Sequence, residues 1–117
     1  MILVDTSVWI DHLHRGYATL RRQLEEGRVV CHPFVVGELS LGLLRQRAEI
    51  LARLRRLPQL PIAGHEEVLA LVERRRLKGS GIGWVDAHLL ASVVMAGARL
   101  WTLDARLAAV GHRLGVA

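Results

Sequence analysis

Cysteine is almost missing from this chain: Cys31 is the only one among 117 residues. A single thiol excludes an internal disulfide and any zinc site built from several cysteines, and it suits a reducing compartment. Lysine is as scarce, with Lys78 the only one among 16 basic residues. Long apolar runs are also missing. The longest stretch without an acid, lysine or arginine, Ala87 to Ala98, is too short to span a bilayer. The opening Met1-Ile2-Leu3-Val4-Asp5 has no basic leader, and its apolar run is too short for a signal peptide. No internal repeat, low-complexity tract or linker interrupts the sequence. These absences predict a soluble, cytoplasmic protein without a membrane partner, folded as a single domain over residues 1–117.

What is present agrees with that reading. Hydrophobic residues make up 51% of the chain and charged residues 23%. That is enough apolar material for a core, and no stretch is as depleted as a disordered segment. The net charge is +5 and the sequence pI is about 10.9. Nearly all the positive charge is arginine, whose planar guanidinium grips phosphate in a bidentate fork, so nucleic acid becomes a natural partner. Excess charge alone also serves solubility.

Short apolar runs alternate with helical periodicity. Ile2-Leu3-Val4 reads as a strand buried on both faces, followed by a helix that Thr6 can cap and that turns Val8, Trp9 and Leu13 inward. A second helix runs from Tyr17 to Glu26, and Val29-Val30-Cys31 is the next strand. Pro33 suits the first turn of a helix reaching about Leu44. Arg47 to Leu57 is amphipathic, Leu60 to Ala63 extended, and His65 to Leu77 helical. A glycine-rich loop, 79–83, leads into Trp84 to Ala96, apolar nearly all round and therefore read as buried. Leu100 to Leu103 is the last strand and Ala105 to Val110 the last helix. Alternation of this kind predicts an α/β fold with a parallel sheet covered on both faces. Such sheets bind ligands beyond the carboxyl ends of their strands.

Acids gather where that rule points. Asp5 and Asp104 each immediately follow an apolar strand. Either alone would pass for a helix cap, a common role for aspartate; two at equivalent positions favour a shared site. Glu38 shares a helix face with Phe34, Val35 and Leu41, where a carboxylate needs a partner, an arginine or a metal. Asp86 lies in the first turn of the most apolar helix, where the helix dipole favours an acid, yet beside Trp84, Val85, Leu89 and Leu90. If the four converge they repel, at least one carboxyl should be raised in pKa, and a hard cation, Mg²⁺ or Mn²⁺, would offset the repulsion. Such ions suit phosphodiester hydrolysis. The six histidines are scattered and do not suggest zinc.

Four segments together carry a family likeness: Val4-Asp5-Thr6-Ser7-Val8-Trp9-Ile10-Asp11, Gly37-Glu38-Leu39, Gly83-Trp84-Val85-Asp86-Ala87 and Thr102-Leu103-Asp104. In order and spacing the set resembles PIN-domain ribonucleases and, more narrowly, the VapC toxins of bacterial toxin–antitoxin pairs. The resemblance implies a three-layer α/β/α domain with a central parallel sheet of four to five strands. It implies an Mg²⁺- or Mn²⁺-dependent endoribonuclease that leaves a 5′-phosphate and a 3′-hydroxyl. It assigns metal coordination and catalysis to Asp5, Glu38, Asp86 and Asp104, with Thr6 or Ser7 in support from the loop after the first strand. It also implies a homodimer, with an interface around Leu41 to Leu57, and a VapB-type antitoxin whose tail occupies the acidic groove. One position departs from the pattern: Arg106 stands where many relatives carry a further aspartate. Three rivals remain: a housekeeping PIN nuclease of RNA maturation, a PIN-like module that binds RNA or protein without cutting, and a phosphoryl-transfer enzyme with an aspartate nucleophile. The third is disfavoured by Ser7, which stands where a second acid would be expected.

Overall fold

The computed structural model describes all 117 residues. Its sheet has three parallel strands, β1 (Ile2–Val4), β2 (Val29–Val30) and β3 (Arg99–Trp101), in the order β2-β1-β3. Ile2 aligns with Val29 on one side and Arg99 on the other, and Leu3 with Val30 and Leu100. Leu3 and Val4 are fully buried in the central strand, as a continuous apolar run in a covered parallel sheet requires.

The expected four to five strands are therefore three. The segment beyond Pro58 reaches the sheet edge through one isolated parallel bridge, Cys31 to Gln59, with Cys31 N–H donating to Pro58 O and Leu60 N–H to Cys31 O. Extending that ladder one step in either direction would need an N–H at residue 33 or residue 58, and both are prolines, so the pairing stops at a single bridge.

Seven helices complete the chain: α1 (Thr6–Arg15), α2 (Ala18–Glu25), α3 (Pro33–Ser40), α4 (Arg47–Arg56), α5 (His65–Arg74), α6 (Trp84–Ala96) and α7 (Ala105–Arg113). One group packs α1, α3 and α4 together; the other packs α5 on α6, with α6 against β3. A single cluster of buried apolar residues runs from Leu3 to Val110 through both groups. No helix is long and apolar enough to cross a membrane.

Several expectations shift in detail. The helix α3 stops at Ser40 rather than near Leu44, and the Arg47 guanidinium folds back to cap that end, donating from Nε and Nη2 to the Ser40 carbonyl. The leucines beyond it are surface: Leu41 is 89% exposed and Leu43 fully so. The helix α6 is buried continuously from Ala87 to Val93, but Trp84, Val94 and Met95 emerge at its ends. Last, β3 ends at Trp101 rather than Leu103, which frees Thr102 to turn its side chain toward β1.

Candidate active site

Asp5 follows β1 directly and caps α1, so the cap is Asp5 and not Thr6. The side chain is only 6% exposed. A buried carboxylate is costly unless donors surround it, and here they do. Its Oδ2 accepts from Ser7 Oγ at 2.7 Å, Thr102 Oγ1 at 2.8 Å and the Ser7 amide at 3.4 Å. Ser7 and Thr102 also tie the two strand ends together: Ser7 Oγ accepts from Leu103 N–H at 3.0 Å, and Thr102 Oγ1 from Asp104 N–H at 3.0 Å.

Asp104 caps α7, its Oδ1 accepting from the amides of Arg106 and Leu107 at 2.9 and 3.0 Å. Asp86, half-buried in the first turn of α6, accepts at Oδ2 from the Gly83 amide at 3.1 Å. Burial raises the Asp86 carboxyl above the usual carboxylate range, and the like charges of Asp5 and Asp104 push it further the same way, against the Gly83 hydrogen bond. Two strand-end acids thus lie within electrostatic reach of the acid that opens α6.

Glu38 reaches this edge by a different route. It is exposed, not set in an apolar environment, and its partner is neither arginine nor a buried donor: Thr6 Oγ1 donates to its Oε1 at 2.7 Å. The apolar face inferred for it fails at Leu41, which lies beyond the end of α3 in solvent. Thr6 and Ser7 both sit in the first turn of α1 rather than in a loop, and each orients one acid.

The convergence is looser than a finished metal cage. No three His, Cys, Asp or Glu side chains are gathered closely enough to hold an ion between them. Each of the four carboxylates spends one oxygen on protein donors, while Asp5 Oδ1, Glu38 Oε2, Asp86 Oδ1 and Asp104 Oδ2 accept from none. Hard oxygen ligands of this kind are what a small divalent cation takes. The donor chemistry therefore fits such an ion.

Thr102 is the functional side chain that sequence reasoning missed. It stands in the segment Thr102-Leu103-Asp104 that carries the family likeness, but no role was read for it there, and nothing local says that a threonine at that place will donate to an acid 97 positions away.

Comparison with known proteins gives the family. The chain matches the PIN domain family over residues 2–113. It is 53% identical over 118 aligned positions to Ribonuclease VapC32 of Mycobacterium tuberculosis, in strains CDC 1551 / Oshkosh and ATCC 25618 / H37Rv, with 100% of this chain and 95% of those proteins covered. Matched along nearly its whole length in both comparisons, the chain belongs to the PIN-domain family, in its VapC group.

Proposed function

We propose that the chain is a metal-dependent endoribonuclease, the toxin of a VapBC-type pair, acting in the cytoplasm as a single PIN domain. The observation that carries this reading is the effect of Asp5 and Asp104 on the half-buried Asp86: acids from two strand ends and one helix start share a field at the carboxyl edge of a parallel sheet. In this reading Asp5, Glu38, Asp86 and Asp104 hold Mg²⁺ or Mn²⁺ through their unspent oxygens. A bound divalent cation supplies positive charge beside the scissile phosphate and lowers the pKa of water. The protein's own part is orientation. Ser7 and Thr102 fix the Asp5 carboxylate, Thr6 fixes Glu38, and the Gly83 amide fixes Asp86.

The direct test is cleavage of single-stranded RNA by purified protein. It should require Mg²⁺ or Mn²⁺, stop in EDTA, and be lost in Asp5→Asn, which should also relieve growth arrest on expression. Undiminished cleavage by Asp5→Asn at equal protein level would remove Asp5 from the site.

A VapB-type antitoxin and a homodimer belong to the same proposal. Leu41 and Leu43, exposed in the turn after α3, support an apolar interface there. Light scattering should report twice 13.0 kDa, and a monomer at every concentration would refute the dimer.

A further inference from the structure

Arg106 and Arg113 are spaced seven residues apart on α7, hence on one face and about 10 Å apart along the axis at about 1.5 Å per residue. Both are exposed, and neither joins any of the three ion pairs, which are Arg15 with Asp11, Arg28 with Glu26 and Arg53 with Glu49. Between them lies a cleft of about 310 Å³, bounded on its other side by Ser80 of the glycine-rich loop. The Ser80 hydroxyl is hidden from solvent and has no protein partner.

Of the two guanidinium groups, that of Arg113 is anchored by hydrogen bonds, and the Arg106 side chain is packed against the loop. Arg113 Nη2 donates to the Arg75 carbonyl at 2.7 Å and the Arg76 carbonyl at 3.4 Å, just past the end of α5, leaving its other donors unspent. Arg106 lies along bare backbone at Gly81, where φ is +85°; a methyl group at position 81 would stand 2.8 Å from Arg106 Cδ. Gly81 is two residues before Gly83, whose amide holds Asp86, and Arg106 is two residues after Asp104. The cleft, with an arginine at each end, is thus built from the two segments that adjoin Asp86 and Asp104 in sequence.

We propose that this cleft, between α7 and the loop 79–83, is a subsite for two neighbouring backbone phosphates of single-stranded RNA flanking the cut, one held by Arg106 and the other by Arg113. The inference rests on the ribonuclease reading and extends it. An edge built of carboxylates repels a polyanion, so a strand laid across it needs fixed positive charge close by. A guanidinium fork matches phosphate oxygens. A backbone phosphate carries no sequence information, so the subsite positions the strand without selecting its bases.

The test uses full-length protein and a short fluorescein-labelled single-stranded RNA, with anisotropy measured in EDTA across a salt series and cleavage kinetics measured separately with Mn²⁺. Removing one arginine that pairs with a phosphate should lower the slope of log affinity against log salt by about 0.7. Arg106→Gln should weaken binding roughly 5- to 10-fold, raise KM by a similar factor and leave kcat within about twofold. Arg106→Gln with Arg113→Gln should lower the slope by about 1.4. Arg106→Lys, which keeps the charge and loses the fork, should restore the slope but not the full affinity. Arg22→Gln, an exposed charge on α2, is the control for net charge. If melting shows that Arg113→Gln unfolds the protein, the two Arg106 variants decide alone. Arg106 variants that behave like Arg22→Gln, in a protein that binds and cleaves RNA, would overturn the subsite only. A wild-type protein that neither binds nor cleaves RNA would overturn the ribonuclease reading with it.

Discussion

Asp5 and His32 begin alike and finish differently. Each follows the end of a strand segment, each caps a helix by accepting the amide two residues on, and both are buried, at 6% and 0% exposure. His32 spends everything it has. Its Nδ1 accepts from Phe34 N–H at 2.9 Å, so Nε2 carries the proton and donates to Ser92 Oγ at 3.0 Å; Ser92 in turn donates to the Pro61 carbonyl at 2.8 Å. The network closes on itself and ties β2, α6 and the segment after Pro58 together. Asp5 collects three donors on Oδ2 and leaves Oδ1 without any. A polar group whose bonding capacity is exhausted inside the protein holds structure. One held rigidly with capacity to spare is equipped for a ligand.

The strongest test of that distinction is at Asp86, where an unspent oxygen and like-charged neighbours coincide. In EDTA, Asp86→Asn should melt no lower than wild type, because it removes one repelling charge while keeping an acceptor for the Gly83 amide. Manganese at about 100 times its Kd should stabilise wild type by about 2.7 kcal/mol, and the variant should lose most of that shift. If Asp86 merely complements the helix dipole, Asn would instead cost about 0.3–1 kcal/mol and leave the metal response intact.

Next in size are the hydroxyls that orient Asp5. Ser7→Ala or Thr102→Ala should reduce RNA cleavage roughly 10- to 100-fold, as loss of a group that positions a metal ligand does, with a much smaller change in melting temperature. Activity within twofold of wild type in both would mean that Asp5 needs no such orientation.

The smallest effect belongs to the closed network and should appear in stability alone. Ser92→Ala leaves the His32 Nε2–H without an acceptor and should cost about 1–2 kcal/mol, measured by urea unfolding, with RNA cleavage unchanged. Burial, and then the neighbouring His88, lower the His32 pKa from 6.5 to about 4. The folded state therefore favours neutral His32 while the unfolded chain protonates near 6.5. Its contribution to stability is complete above about pH 6.5 and is lost as pH falls through about 4. Wild type should show this loss, and a variant with His32 replaced by Asn should show less of it. An identical acid profile in the two proteins would remove His32 from the acid response.

How far the residues alone could be read varies along the chain. The bounds of α6 were legible because Gly83 and Gly97 bracket a helix whose middle is apolar on every side. The end of α3 was not. Leu41, Leu43 and Leu44 continue an apolar pattern that the backbone abandons, and the exposed end is capped by an arginine seven residues beyond Ser40. The four acid positions were legible from strand ends, a helix start and the family likeness. The surroundings of Glu38 were not, since its threonine partner lies on another helix, 32 positions earlier.

Local order and chemistry, then, were set by the sequence itself: which runs make strands, that an acid stands after β1 and another close after β3, and which family the motifs resemble. Periodicity and capping act within a turn or two of chain, so they can be read without the fold. Only the tertiary structure decided which oxygen of each acid is spent and which is left unspent. Ser7 and Thr102 meet on Asp5 from opposite ends of the chain, as His32 and Ser92 meet across 60 positions. Packing of the parallel strands, which no local pattern encodes, brings those side chains within hydrogen-bond reach.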